Sequence, residues 1–249
     1  MFLHGCLEKQ MLPITGHVQT SLVDFPEKIA TLFFFSGCNL RCPYCHNSSL
    51  FTVPPQEKWL SREYIISDIQ KRLKFIDGVS FSGGETSLYD ELIDLVHEIK
   101  ERFNIAVKID SNGLKPEFIE KILPDLSYIA IDIKTTPDQY SELGCQFSKK
   151  EVEEKLLATK KLLENQTNAK VEYRTTMYPK IVESYERLCK MADFIPENAV
   201  YYLQKFICDN AYTDEAKTAE SYSTEQLERM AVEMRRITKR DKIFVRTYL

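Results

Sequence analysis

The stretch I29-A-T-L-F-F-F35-S-G-C38-N-L-R-C42-P-Y-C45 decides the fold. Its first part, Ile29 to Phe35, is apolar and rich in β-branched and aromatic residues, and reads as a strand. A C-x-x-x-C-x-x-C run at Cys38, Cys42 and Cys45 follows at once. Three clustered thiols imply a metal, and their number says which kind. A structural zinc site closes with four protein ligands, whereas three cysteines leave one iron of a four-iron, four-sulfur (4Fe-4S) cluster open to something that reacts. Reactive loops belong at the carboxyl ends of strands in a parallel α/β sheet, because the loops there converge on one mouth.

Working outward, short apolar runs recur at Ala30 to Phe35, Val79 to Ser82, Ile105 to Ile109, Tyr128 to Ile133, Val171 to Thr176 and Val200 to Leu203. Amphipathic segments separate them. Leu88, Leu92, Leu95, Val96 and Ile99 have the spacing of one helical face, and Leu227, Met230, Met234 and Ile237 mark a last helix. Ser148 with Glu151, and Ser223 with Gln226, have capping-box spacing before helices that begin near residues 149 and 224. Six βα units with right-handed crossovers give an α/β fold, a partial TIM-type (β/α)6 barrel. We expect one domain over 1–249: an N-terminal extension (1–28), the core units (29–207), and a C-terminal loop, helix and short strand (208–249). Polar motifs then fall at strand ends: Ser82-Gly83-Gly84-Glu85, Asp110-Ser111-Asn112-Gly113 and Asp132-Ile133-Lys134, with Arg174 inside the fifth run.

A chain of 249 residues can bury most of its apolar surface as one domain. The net charge of −4, with both signs interleaved, gives no sign of a nucleic-acid face or a polybasic membrane patch. Met1 to Leu12 lack the pattern of a signal peptide; Leu3-His4-Gly5-Cys6 has only a superficial likeness to a lipoprotein box. No apolar run approaches the roughly 18 residues a spanning helix needs. We expect a cytoplasmic protein whose seven cysteines stay reduced. Cys6, Cys145, Cys189 and Cys208 stand alone and receive no role.

Beyond the cysteines, T20-S-L-V-D-F-P26, C45-H-N47, S82-G-G-E85, D110-S-N-G113, D132-I-K134, R174-T-T-M-Y-P179 and Y202-L-Q-K-F206 occur in an order that covers most of the chain. In this the chain resembles radical S-adenosylmethionine (radical SAM) enzymes, and within them the activating proteins of anaerobic (class III) ribonucleoside-triphosphate reductase and pyruvate formate-lyase. The resemblance implies a 4Fe-4S cluster on Cys38, Cys42 and Cys45, with S-adenosylmethionine on the open iron. It implies Tyr44 near the adenine, and Gly83, Gly84 and Glu85 at the methionine amino group. Asp132 and Lys134 would face the ribose and the methionine carboxylate, with Asn47, Ser82, Ser111 and Arg174 in support. Asp110 with Asp132 would hold a monovalent cation. Reductive cleavage would give methionine and a 5′-deoxyadenosyl radical that takes hydrogen from a backbone glycine of a glycyl-radical enzyme, anaerobic ribonucleotide reductase first among the candidates. Flavodoxin or a similar donor would supply the electron. Tyr201, Tyr202, Phe206 and Asp24 to Lys28 are candidates for the entrance.

Three positions depart from the pattern. Thr86 stands where proline is usual, Ile207 where pyruvate formate-lyase activases have a ribose-contacting histidine, and Glu27 where glycine is usual after Asp24-Phe25-Pro26. Alternatives differ in class. Another glycyl-radical activase would share the motifs, but many insert a ferredoxin-like domain, and residues 46–144 contain no cysteine. A radical enzyme acting on a small molecule would need a closed polar pocket. A zinc or electron-transfer protein would leave the Gly-Gly-Glu and Asp-x-Lys motifs without purpose. His46 reads as a structural loop residue, Asp110 could cap the Asn112-Gly113 turn, and Arg174 could pair with Asp110 or Glu85.

Overall fold

The structure, a computed structural model, describes residues 11–247, so Cys6 and most of the leader reading lie outside the described residues. Eight strands form one sheet in sequence order: β1 (Ile14–Ser21), β2 (Ala30–Phe35), β3 (Gly78–Gly83), β4 (Ala106–Ser111), β5 (Tyr128–Asp132), β6 (Lys170–Met177), β7 (Val200–Lys205) and β8 (Ile243–Arg246). Every neighbouring pair from β2 to β8 is parallel. The six apolar runs of the sequence are β2 to β7, and β8 is the expected short terminal strand. β1 is an addition: it pairs antiparallel with β2 and lies in the segment that reads from sequence as a lead-in. I14-T-G-H-V-Q-T-S21 is half exposed and only weakly alternating, so pairing with β2 makes it a strand.

Helices α1 (Arg62–Arg72), α2 (Glu91–Phe103), α3 (Pro116–Ile122), α4 (Lys149–Glu164), α5 (Tyr185–Ala192), α6 (Asp214–Lys217) and α7 (Thr224–Thr238) lie between the strands. Both capping boxes form as the sequence indicates: Ser148 with Glu151 opens α4, and Ser223 with Gln226 opens α7. In α2, Leu92, Leu95, Val96 and Ile99 are fully buried, each stabilising by roughly 1.5–3 kcal/mol. Leu88 falls in a 3-10 turn before that helix and is partly exposed. Among the described residues no helix is long and apolar enough to cross a membrane.

Alternation along the strands sorts side chains between the helix layer and the sheet's concave face. The 22–29 loop joins β1 to the start of β2 and so runs under the amino ends of the parallel strands. Phe25 plugs that base against Ala30, Tyr128 and Ala130. Glu27 has a φ of 64°, and its carboxylate pairs with Lys170 at 2.7 Å. A residue held in the left-handed region is a natural place for glycine, which accounts for the glycine usual at this position. Glu27→Gly should therefore raise the thermal midpoint; an unchanged or lower midpoint would mean that the Lys170 pair outweighs the backbone strain.

Candidate active site

β2 ends at Phe35, and the cysteine loop begins three residues later. Tertiary contacts hold that loop. Gly37 N–H donates to the Leu50 carbonyl at 2.7 Å, and Arg41 N–H to the Leu143 carbonyl at 2.6 Å. The Arg41 guanidinium donates back to the Cys38 and Leu40 carbonyls at 2.7 and 2.8 Å and lies over the Phe51 ring. Asn112 Nδ2 donates to Asn39 Oδ1 at 2.8 Å. His46 Nε2 donates to the Ile207 carbonyl, so His46 anchors the loop, and Ile207 takes part through its backbone. Cys38, Cys42 and Cys45 all open on one cavity of about 380 Å³, a size typical of small-molecule sites.

Burial pushes the Cys38 thiol up to about 11 and the Cys42 thiol up to about 12. The protein alone keeps them as thiols, and it takes the charge of a metal to hold them as thiolates. Among the described residues no group of three His, Cys, Asp or Glu side chains could hold a single metal ion. A tetrahedral zinc, with Zn–S bonds of about 2.3 Å, draws its sulfurs within about 4 Å of one another. A cubane instead spreads three thiolates over three irons. The donor set suits a cluster.

The Ser82–Glu85 turn is bonded to the root of that loop. Gly84 N–H donates to the Phe35 carbonyl and Glu85 N–H to the Gly37 carbonyl, both at 2.8 Å. Gly83 has a φ of 120°, and a Cβ on Gly84 would stand 2.0 Å from the Gly37 carbonyl oxygen. The glycines thus permit β3 and the cysteine loop to touch backbone to backbone. Gly84→Ala should cost roughly 1–3 kcal/mol and displace the loop; the check is thermal melting together with iron content after reconstitution.

Glu85 is 3 % exposed. Its Oε1 accepts from Ser87 N–H (3.1 Å), Ser87 Oγ (2.7 Å) and Ser111 Oγ (2.7 Å), and its Oε2 from Asn112 N–H (2.8 Å). Burial pushes its carboxyl up, and these four hydrogen bonds oppose the rise. Thr86 Oγ1 donates to the Asp110 carbonyl at 2.7 Å, tying β3 to β4, a bond that a proline there could not make. The turn after β4 is capped by Asn112, whose Oδ1 accepts from Leu114 N–H, and Asp110 looks elsewhere.

Asp110, Asp132 and Arg174 meet above the sheet. Arg174 Nε lies 2.7 Å from Asp132 Oδ1, and its Nη1 3.4 Å from Asp110 Oδ1. Lys134 Nζ is 3.0 Å from Asp132 Oδ2, and Ser82 Oγ donates to Asp110 Oδ2 at 2.9 Å. Lys108 pairs with Asp110 Oδ1. Arg174 and its cationic neighbours hold both carboxyls below the ordinary aspartate range despite burial. Arg174 thus pairs with Asp110, one of the two partners the sequence allows, and with Asp132, but not with Glu85. Lys108, Lys134 and Arg174 thus lie against the two carboxylates that the resemblance gives to a monovalent cation.

Deeper in the barrel, Glu172, 1 % exposed, takes two bonds from Arg246 (2.7 and 2.8 Å) and one from Tyr128 Oη (2.6 Å). Lys108, Glu172 and Arg246 line the same cavity, and no motif in the sequence marks them. A signal exists in V107-K-I-D110 and V171-E-Y-R174, where charges alternate with apolar residues at strand period. Tyr44 and Asn47 line the cavity, and the Tyr44 hydroxyl is buried without a hydrogen-bond partner among the described residues. Of the entrance candidates, Tyr201 and Phe206 are 1 % exposed and belong to the core. Tyr201 faces the opposite side of β7 from Tyr202, and its hydroxyl bonds Thr175. Tyr202 lies under the Arg246 guanidinium, and Asp24 and Pro26 reach the cavity from the base loop.

A three-cysteine loop, a glycine turn bonded to it and a charged cavity on a mostly parallel sheet define a radical-chemistry scaffold, and the comparisons agree. Residues 32–195 match the radical SAM superfamily, and the chain belongs to that superfamily of enzymes. A Methanocaldococcus jannaschii protein named as a glycyl-radical enzyme activating enzyme is 35 % identical over 208 residues, 82 % of this chain and 84 % of its own. The pyruvate formate-lyase-activating enzyme of Clostridium pasteurianum is 32 % identical over 70 % of this chain and 72 % of its own. The crystal structure of QueE from Escherichia coli superposes with a TM-score of 0.58 at 14 % identity, covering 96 % of this chain and 95 % of that one, a likeness of fold. The superfamily implies a 4Fe-4S cluster and S-adenosylmethionine, and the cysteine loop and charged cavity fit both.

Proposed function

We propose that the chain, as a single radical SAM domain, is an activase that installs a glycyl radical on a partner enzyme, anaerobic ribonucleoside-triphosphate reductase being the first candidate. The observation that supports this most is the three-cysteine loop opening on the same cavity as Glu85, Asp132 and Lys134, in a chain 35 % identical to a relative named for glycyl-radical activation. A pyruvate formate-lyase type of partner is the second reading, favoured by the Clostridium pasteurianum relative. When bound, the cluster and S-adenosylmethionine supply a one-electron reductive cleavage that yields the 5′-deoxyadenosyl radical.

The chain's own residues hold, orient and shield. Cys38, Cys42 and Cys45 would carry the cluster. Glu85, fixed by Ser87, Ser111 and Asn112, would accept the methionine ammonium on the free side of Oε2. Asp132 and Lys134 would receive the ribose and the carboxylate, with Tyr44 and Asn47 beside the adenine end. No side chain need move a proton. The buried walls exclude water, and a fixed geometry directs the chemistry to one hydrogen. A flavodoxin-like protein would donate the electron in the cytoplasm, where thiols remain reduced.

Glu85→Ala should leave the cluster in place and weaken S-adenosylmethionine by about tenfold to hundredfold, the 1.5–3 kcal/mol of a charged hydrogen bond. Unchanged affinity in a calorimetric titration would take Glu85 out of the site. The functional test mixes the reconstituted, reduced protein anaerobically with S-adenosylmethionine and the host's anaerobic ribonucleotide reductase. A glycyl-radical signal in electron paramagnetic resonance that requires both proteins supports the activase. 5′-Deoxyadenosine without a protein radical would move the partner to another glycyl-radical enzyme or a small molecule.

A further inference from the structure

We propose that Lys108 is a tethered cation, built into β4 to do for Asp110 what a free monovalent ion would otherwise do. Lys108 and Asp110 are two apart on one strand and share its concave face. The lysine side chain is 3 % exposed, and its ammonium lies against Asp110 Oδ1. Asp110 Oδ2 is held by the Ser82 hydroxyl, and Arg174 closes the remaining side. An ammonium is a compact, strongly hydrated point charge, similar in kind to a small monovalent ion. Carried on the chain, it occupies the site at every salt concentration. It leaves Arg174 free to bridge to Asp132, whose other oxygen orients Lys134 at the open end of the cavity.

The surroundings of Lys108 carry this reading further than a chance ion pair would. Ser80 stands directly beside Lys108 in the β3–β4 register and is fully buried, and its hydroxyl has no hydrogen-bond partner among the described residues. Ser80 and Ser82 share the face of β3 that adjoins Lys108 and Asp110 on β4, so hydroxyl and carboxylate oxygens line the strand face on which the ammonium lies. Those are the donors that alkali ions favour, and here the protein fills the space with its own charge. Shortening the lysine should reopen that space to an ion from solution.

The inference concerns the barrel carboxylates and is independent of which partner the enzyme activates. Its test compares wild type, Lys108→Ala and Lys108→Met in potassium, ammonium or choline chloride at equal ionic strength. Two quantities are read: the thermal midpoint of the unliganded protein and S-adenosylmethionine affinity by calorimetry. Wild type should be indifferent to the cation in both. Lys108→Ala should lose about tenfold or more in affinity in choline and regain it, along with a higher midpoint, in potassium or ammonium. Lys108→Met, which fills the space without charge, should be weakened in all three salts. Wild type that melts earlier in choline than in potassium would show that a free ion is still needed and would overturn the proposal. So would a folded Lys108→Ala protein blind to the cation. The melts need no ligand, so they decide the matter even if S-adenosylmethionine binding itself fails, and wild type alone is decisive if neither variant folds.

Discussion

Cys42→Ala protein, reconstituted anaerobically with iron and sulfide, is expected to retain almost no cluster and to cleave no S-adenosylmethionine. Cys42 is the most buried of the three thiols and sits between the other two in the loop. Two thiolates do not hold a cubane stably. The fold should survive. The loop's anchors at Gly37, Arg41 and Asn39 do not involve the Cys42 thiol, and a Cys→Ala change in the core removes one sulfur. Iron and sulfide content, the visible absorption of the cluster, and 5′-deoxyadenosine formation would be measured on the same preparation. Normal iron content with turnover would refute the cysteine assignment outright.

Arg174→Met is expected to be the most destabilising of the charge changes. Arg174 touches both Asp110 and Asp132, and removing one partner of a buried ion pair typically costs about 3–5 kcal/mol. Lys108 and Lys134 would remain, so the loss should fall toward the lower end of that range. The pH dependence carries a sign. Both carboxyls have folded-state values depressed below the ordinary value of about 3.9. Their stabilisation is therefore fully present above that value and is lost only as pH falls through the folded-state values. In Arg174→Met the depression shrinks, so the acid limb of the stability curve should move to higher pH, while the two proteins differ by a constant amount near neutrality. Chemical denaturation across an acid series measures this. Parallel acid limbs would mean that Arg174 does not set the carboxyl ionisation.

Much of the site is legible in the amino-acid sequence. The cysteine spacing, the Gly-Gly-Glu turn and the Asp-x-Lys pair are local patterns: each lies within a few residues, and strand period alone places Asp132 and Lys134 on one face. The βα rhythm is equally legible, because strands buried on both sides read as apolar runs and amphipathic helices show their stripe. β1 is not legible, since its half-exposed residues form a strand only through β2. Leu88 keeps helical spacing while falling just outside the helix, because a periodic pattern does not mark where the first turn closes.

What the sequence determined by itself was the succession of parallel strands and helices from β2 onward and the place of the cysteine loop after β2, which follow from short-range spacing and composition, and the family, which follows from its resemblance in ordered motifs. Tertiary structure alone decided how the charges are shared. Arg174 finds Asp132 on the neighbouring strand and Asp110 one strand further, and Arg246 finds Glu172 from 74 positions away in the chain. Tyr201 and Phe206 passed from the entrance to the core in the same way. These pairings depend on which side of a curved sheet each residue faces and on what its neighbours leave unpaired once water is excluded. Buried charges choose partners by distance in space, and separation along the chain carries no record of that distance.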